Sequence, residues 1–373
     1  MAHQYHKVKP TADNLNGFQE HDPIDFLITA EPGRALKPGS IALEYELIVE
    51  TTGGTQVSNA VTDEIVMKNA SVFFDSMSVE IENKGKVENL LHYPRYCAMI
   101  NSATKSDRML FSSEEQLEGV MPYRSQGFLN VQQKATQTET STVKENPRYV
   151  IQPKICLNRS AGGEYKFGEM GYIRLSVTLA RAVTALYGRY SATNDVSYTL
   201  KNVAVRYETV LEDPNNKMPL MCFSYKSIKS SLDSQENNIQ ALVNSQNCNG
   251  VIMSFVPQNE ENLFVNDSQK GAVLKDIDSI RFLYNSNLGE RIAYNVEDLD
   301  EMLKQATQAL KENGTDAVTR RMMGINDNFI LGVDFKAMVN LSNVNTQINI
   351  TLNSTLAGNP HNAYLYFLEV LQL

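Results

Sequence analysis

Short runs in which apolar and polar side chains alternate, separated by Gly, Pro and Asn clusters, make up most of this chain. Ile24 to Ala30 (IDFLITA) is one, closed by Glu31-Pro32-Gly33. Ile41 to Glu50 sets Ile41, Leu43, Tyr45 and Leu47 on one face and is followed by Gly53-Gly54. Val61 to Met67 and Ser71 to Ile81 continue the pattern, and the alternation in the latter is reset by a bulge near Asp75-Ser76. Asn83-Lys84-Gly85-Lys86 has the composition of a tight turn, with Gly85 free to take positive φ. Tyr149 to Leu157 and Tyr172 to Leu179 read as strands, Pro153 placing the first of them at an edge or a bulge. Met221 to Leu232, Ile239 to Val243, Val251 to Val256 and Ser279 to Tyr284 extend the series, with Asn249-Gly250 as a turn signal. Regularly spaced short strands of this kind predict a sandwich or a barrel.

Two stretches have helical spacing instead. Leu90, Leu91, Tyr93, Tyr96, Met99 and Ile100 recur at one to three residues, and Pro94 suits a first helical turn, so a helix is expected from Tyr93 to Ala103. Val296 to Asn313 carries Leu299, Met302, Leu303, Ala306, Ala309 and Leu310 along one face. Asp298, Asp300 and Glu301 stand at its start, Lys311 in its last turn and Asn313-Gly314 at its end, as helix dipole and C-cap preferences require. That face is expected to cover its own sheets. Lys105 to Glu145 has neither pattern and reads as a long polar surface excursion.

The endings of two segments are alike. Tyr172 to Pro214 and Thr346 to Leu373 each run through an alternating strand ending in Thr-Leu (Thr178-Leu179 and Thr351-Leu352), a loop, and a final strand. Val203 to Glu208 is the final strand of one, Tyr364 to Glu369 of the other. Asp213-Pro214-Asn215-Asn216 then reads as a linker between two tandem β domains.

A strand, tight turn and helix over Ser71 to Arg108, in a chain of two such halves, resemble the double jelly-roll major capsid proteins of icosahedral DNA viruses. That lineage includes adenovirus hexon and the coat proteins of tectiviruses, virophages and polinton-like viruses. The resemblance spans about residues 20–373 and rests on the order and length of elements, not on an invariant motif. It implies an all-β chain of two eight-stranded jelly rolls with short helices and long loops. Residues 1–22 would form an N-terminal arm, 23–213 the first jelly roll and 214–373 the second. It implies trimeric, pseudo-hexagonal capsomers in a virion, with neighbouring capsomers and minor capsid and vertex proteins as partners. The long excursion would then clasp neighbouring subunits.

Composition agrees with a globular, non-catalytic reading. The 373 residues are 42% hydrophobic and 21% charged, enough for two domains. The formal net charge of -9 disfavours direct binding to nucleic acid, which depends on many Lys and Arg neutralising phosphates. No apolar run reaches the roughly 20 residues of a membrane-spanning helix. MAHQYHKVKPTADN lacks a signal-peptide core, so synthesis is expected in the host cytoplasm. Residues 1–21 are polar and locally basic through His3, His6, Lys7 and Lys9. They read as a disordered tail, or as an arm reaching a neighbouring subunit or an anionic internal membrane.

No catalytic, cofactor or metal residues are singled out. Cys97, Cys156, Cys222 and Cys248 are far apart with no CxxC pair and read as buried free thiols. His3, His6, His21, His92 and His361 form no HxH or HExxH set, and no GxSxG or GxxxxGK[ST] occurs. The sequons at Asn69, Asn158, Asn266, Asn313, Asn340, Asn349 and Asn353 are those expected by chance in an Asn-rich chain. The reading is therefore a structural virion protein and not an enzyme, with a tandem β-sandwich binding module, lectin-like or a receptor-binding spike, as the alternative.

Overall fold

The computed structural model describes residues 3–12, 14–51, 65–67, 69–104, 148–188, 196–263, 268–269, 271–272, 274, 276–285, 291–314, 329–356 and 358–373. The first half contains β1 (Gln4–Val8), β2 (Pro23–Ile28), β3 (Arg34–Leu36), β4 (Ala42–Thr51), β5 (Ile65–Met67), β6 (Phe74–Ile81) and β7 (Gly85–Leu90). Helix α1 (Tyr93–Thr104) follows, then β8 (Arg148–Ile151), β9 (Ser160–Gly162), β10 (Tyr165–Lys166), β11 (Ile173–Leu179), β12 (Leu186–Gly188) and β13 (Val196–Leu211). The second half contains β14 (Met221–Leu232), β15 (Glu236–Ala241), β16 (Cys248–Pro257), β17 (Ile277–Asn285) and β18 (Arg291–Val296). Helix α2 (Leu299–Glu312), β19 (Leu331–Val339), β20 (Thr346–Leu352) and β21 (His361–Gln372) complete it.

The two halves repeat one topology. In the first, β1-β13-β4-β8 form one sheet and β2-β11-β6-β7 the facing one. In the second, β14-β21-β16-β19 and β15-β20-β17-β18 do the same. The correspondence is strand for strand in chain order, and α1 and α2 occupy the same place in it, after β7 and β18 respectively. Strands β3 and β10 extend the first sheet, β5 and β12 form a separate pair, and β9 crosses to the edge of β14. The expected two eight-stranded sandwiches are therefore present.

Alternation in the sequence becomes alternation in burial. Strand β2 turns Ile24, Phe26 and Ile28 inward, and β11 turns Ile173, Leu175, Val177 and Leu179 inward. Between Thr178 and Leu179 the pairing steps from Ser76 to Phe74, leaving Asp75 unpaired, which is the bulge the sequence indicated. Strand β16 is buried along its whole length because α2 packs on it and on β19. Glycines allow that approach. A Cβ on Gly250 would lie 2.8 Å from Ala309 Cβ, and one on Gly332 would lie 3.1 Å from Ala306 Cα.

Several expectations change. Gln4–Val8, expected in the N-terminal arm, pairs in antiparallel register with β13 of its own chain as the outermost strand of the first sheet. Val205 partners both Val8 and Leu43, so β1 and β4 flank β13 on opposite sides. Asn249-Gly250 is no turn but a register shift inside β16, where Gly250 makes room for the helix. Ala70–Phe73 forms a 3-10 turn capped by the Asn69 side chain, so the strand begins at Phe74 and not at Ser71. Gly85 to Leu90, with Gly85 and Lys86 expected in the tight turn, forms β7, hairpin partner of β6. The two helices lie close to their expected positions, but Leu299 is 38% exposed while Met302, Leu303, Ala306, Ala309 and Leu310 are buried. The Asp298 side chain caps α2 by accepting from the Asp300 and Glu301 amides. Lys105 to Glu145 lies outside the described residues.

Candidate functional site

Polar residues missed by pattern reading collect where the two sandwiches meet, and α1 is at their centre. The helix begins after His92, which holds φ at 52°, and buries Tyr93, Tyr96 and Cys97. The Tyr96 ring lies 4.0 Å from that of Tyr225 on β14 and 5.3 Å from that of Tyr366 on β21, centroid to centroid. The latter two rings meet edge to face at 5.2 Å. Their hydroxyls are also partnered: Tyr225 donates to the Leu91 carbonyl at 3.2 Å and Tyr366 to the His92 carbonyl at 3.2 Å. Burial pushes all three phenols above their ordinary range, so they act as neutral donors and acceptors.

Arg159 bridges the halves. Its guanidinium donates to the Tyr96 hydroxyl at 2.9 Å and to the main-chain oxygen of Asn313 at 2.8 Å. Asn313, the fully buried residue that ends α2, donates through its side-chain amide to the Glu369 carbonyl at 3.2 Å. One side chain thus ties α1 to the end of the other helix. On the same side, Glu88 of β7 accepts from the Cys156 amide at 2.8 Å and from the Ser224 hydroxyl of β14 at 2.5 Å. Burial raises the Glu88 carboxyl to about 7, against the smaller opposing effect of its hydrogen bonds to Ser224 and Cys156 and of Arg159.

Backbone crosses the junction too. Strand β9 pairs with Met221 and Cys222 at the edge of β14, and the Phe223 amide donates to the Arg159 carbonyl at 2.9 Å. Gly163, at φ 78°, passes so near the chain that a Cβ would lie 2.3 Å from the Pro219 oxygen. At the opposite rim a cleft of about 230 Å³ lies between the halves. There the Arg95 guanidinium sits 4.3 Å over the Tyr364 ring and donates to the Ser268 carbonyl. Glu261 accepts from the Tyr364 hydroxyl and from Lys229 at 3.0 Å. Burial raises its carboxyl, but those hydrogen bonds outweigh it and hold the group below the usual carboxylate range.

These contacts make a joint, with aromatic packing at its centre, hydrogen-bonded charges around it and a strand exchanged across it. Among the described residues no group of three His, Cys, Asp or Glu is placed to hold a metal ion. His3, His6 and Lys7 of the N-terminal segment are tied to the first sheet. Lys7 and Arg206 both pair with Glu44, and His3 and Lys37 with Glu208. The His6 ring stacks on Tyr207 at 4.6 Å. All four cysteines are buried with free thiols. Of the sequons, Asn69 and Asn313 are buried caps, and Asn158 binds the Ile41 main chain through its side chain. The joint escaped notice in the sequence because Glu88, Arg159 and Asn313 are single polar residues far apart in the chain; only the β7–β14 approach and the reach of Arg159 from Tyr96 to Asn313 bring them into one network.

No family model matches the sequence, and no curated protein matches it. Solved structures do. The Faustovirus major capsid protein superimposes with a TM-score of 0.62 at 10% identity, covering 100% of this chain and 90% of that one. This chain has the double jelly-roll fold of viral major capsid proteins. The PBCV-1 virus capsid aligns with it at a TM-score of 0.61 and 11% identity, over 100% of this chain and 94% of that one. The mavirus major capsid protein aligns at 0.51 and 8%, over 99% and 87%. Full coverage matters here, because a match to a single sandwich would leave half of either chain unaligned. The double jelly roll also accounts for the placement of the helices, each following the fifth strand of its sandwich. No helix among the described residues is long and apolar enough to cross a membrane.

Proposed function

We propose that this protein is a major capsid protein, a structural component of a virion, whose copies form trimeric, pseudo-hexagonal capsomers of an icosahedral shell. The observation that carries the reading is the strand-for-strand repeat within one chain. Three chains, each with two similar sandwiches, give six similar corners around one axis, and a six-cornered block tiles a shell. That geometry requires the two sandwiches of a chain to keep a constant relative orientation. The joint built by Tyr96, Tyr225, Tyr366, Arg159 and Asn313 supports such constancy. On this reading the partners are neighbouring copies and the minor capsid and vertex proteins, and the sandwiches, at 3–213 and 214–373, act as one rigid block. Contact of the N-terminal segment with an internal membrane is a weaker element, since Lys7 and His3 already have carboxylate partners.

Light scattering on the purified full-length protein tests it. A stable trimer at micromolar concentration, assembling into shells visible by electron microscopy, is the expected result. A persistent monomer that binds glycans would instead favour a tandem-sandwich binding module.

A further inference from the structure

Cys156 and Cys222 come from different sandwiches and lie next to each other inside the joint. Cys156 opens the 3-10 turn Cys156–Asn158, and Cys222 lies on β14. Both are wholly buried and free. One oxygen of the Glu88 carboxyl accepts from the Cys156 amide and the other from the Ser224 hydroxyl, and Ser224 is two residues along β14 from Cys222, buried like it, which sets Cys156 beside Cys222. The backbone around them is hydrogen-bonded in the closed joint: Ser160 is the β partner of Cys222, the Phe223 amide donates to the Arg159 carbonyl, and the Cys156 amide donates to Glu88. Among the described residues, the charged and titratable groups facing Glu88 are Cys156, Arg159 and Tyr96. Cys248, by contrast, contacts the Gly250 carbonyl in its own strand, with no second thiol described beside it.

We propose that Cys156 and Cys222 are a modification site, a latent disulfide that staples the two sandwiches together, with Glu88 as the proton acceptor. The oxidant is a small-molecule disulfide. Glu88 takes the proton of Cys156; the thiolate attacks the small disulfide, forms a mixed disulfide and releases one thiolate, which takes the proton of Cys222. Cys222 then attacks the Cys156 sulfur of the mixed disulfide and releases a second small thiol, which leaves with the proton held on Glu88. Two protein thiols and one small disulfide become one protein disulfide and two small thiols, so both electrons pass to the small molecule. Contact with Cys222 and burial hold the Cys156 thiol well above its ordinary range, so the pair is inert while the joint is closed. Strand β9, three residues long and paired among the described residues with Met221 and Cys222, is the short edge whose fraying admits the oxidant. This inference does not rest on the capsid reading.

The test incubates the full-length protein with oxidised glutathione, at neutral pH and a few degrees below its melting transition, followed by non-reducing proteolysis and mass spectrometry. The expected product is one peptide pair joining Cys156 to Cys222, lighter than the two reduced peptides by two hydrogens and separated again by dithiothreitol. The oxidised protein should melt higher than the reduced one. Cys222→Ser should lose both effects and Cys248→Ser should keep both; the wild-type peptide map decides the matter even where Cys222→Ser misfolds. Glu88→Gln should slow disulfide formation roughly tenfold or more, and an unchanged rate would remove Glu88 from the mechanism. Cys156 and Cys222 recovered free, or carrying only separate glutathione adducts, overturn the proposal.

Discussion

Asn313, the residue that ends α2, receives the guanidinium of Arg159 from the other sandwich, with Arg159 Nη2 2.8 Å from its main-chain oxygen. Asn313 is 0% exposed, so neither of its oxygens has water as a substitute partner. Arg159→Met keeps much of the aliphatic stem and removes the donors. It should cost about 3 kcal/mol, since each buried acceptor left unsatisfied costs roughly 1–3 kcal/mol. Urea unfolding measures this, and a midpoint equal to wild type would mean that the bridge does not hold the halves.

The two leucines near the start of α2 should behave oppositely. Leu303 is 8% exposed and Leu299 38%. Leu303→Asp places a charge without a partner against the sheet and should cost about 3 kcal/mol or more. Leu299→Asp should change stability by less than about 0.5 kcal/mol, as surface substitutions usually do. Equal losses from the two, read by thermal melting, would contradict the observed face of the helix.

Glu88 makes stability depend on pH in an unusual direction for a carboxyl. Its folded value is raised to about 7 from an ordinary 4.5, so between those values the folded protein holds a proton that the unfolded chain has released. Stability from this group is therefore full below about pH 4.5 and declines as pH rises toward 7. The loss is on the order of 3 kcal/mol by the usual conversion of pKa shift to free energy. Glu88→Gln should remove this slope. Denaturation curves at pH 5 and pH 7.5 that change by the same amount in both proteins would refute it.

Strand β1 pairs with β13 through Gln4 to Val8, and His3 and Lys7 reach carboxylates on the sheet. Deleting residues 1–8 should weaken the first sandwich by about 2 kcal/mol, given five cross-strand pairs at roughly 0.2–1 kcal/mol each. The melting transition should fall by roughly 4–8 °C. An unattached arm would leave it where it was.

Strands with one wet face were legible in the sequence because a period of two survives without knowledge of the partner. Met221–Leu232 has the expected bounds, and Ile173–Leu179 differs by one residue. Both helices were legible from their spacing and, for α2, from Asp298 and Asn313 at its ends. Asn249-Gly250 misled because a turn and a bulge beneath a helix use the same residues, and local composition does not distinguish them. β1 was hidden for a related reason: a mostly exposed strand held by His6 against Tyr207 and by ion pairs has no apolar period to read.

What the sequence determined by itself is the class of the chain: two successive series of short strands, a helix at the corresponding place in each, buried thiols, and no recognisable catalytic motif. Those features are local, set by side-chain period and turn chemistry within a dozen residues. Tertiary structure alone decided that Gln4–Val8 joins β13, that β9 crosses to β14, and that Glu88, Arg159 and Asn313 form one joint. Those pairings link residues up to about two hundred positions apart, and each exists only because the folded strands bring its partners together. A lone Glu or Arg in sequence carries no record of which distant backbone will bury it.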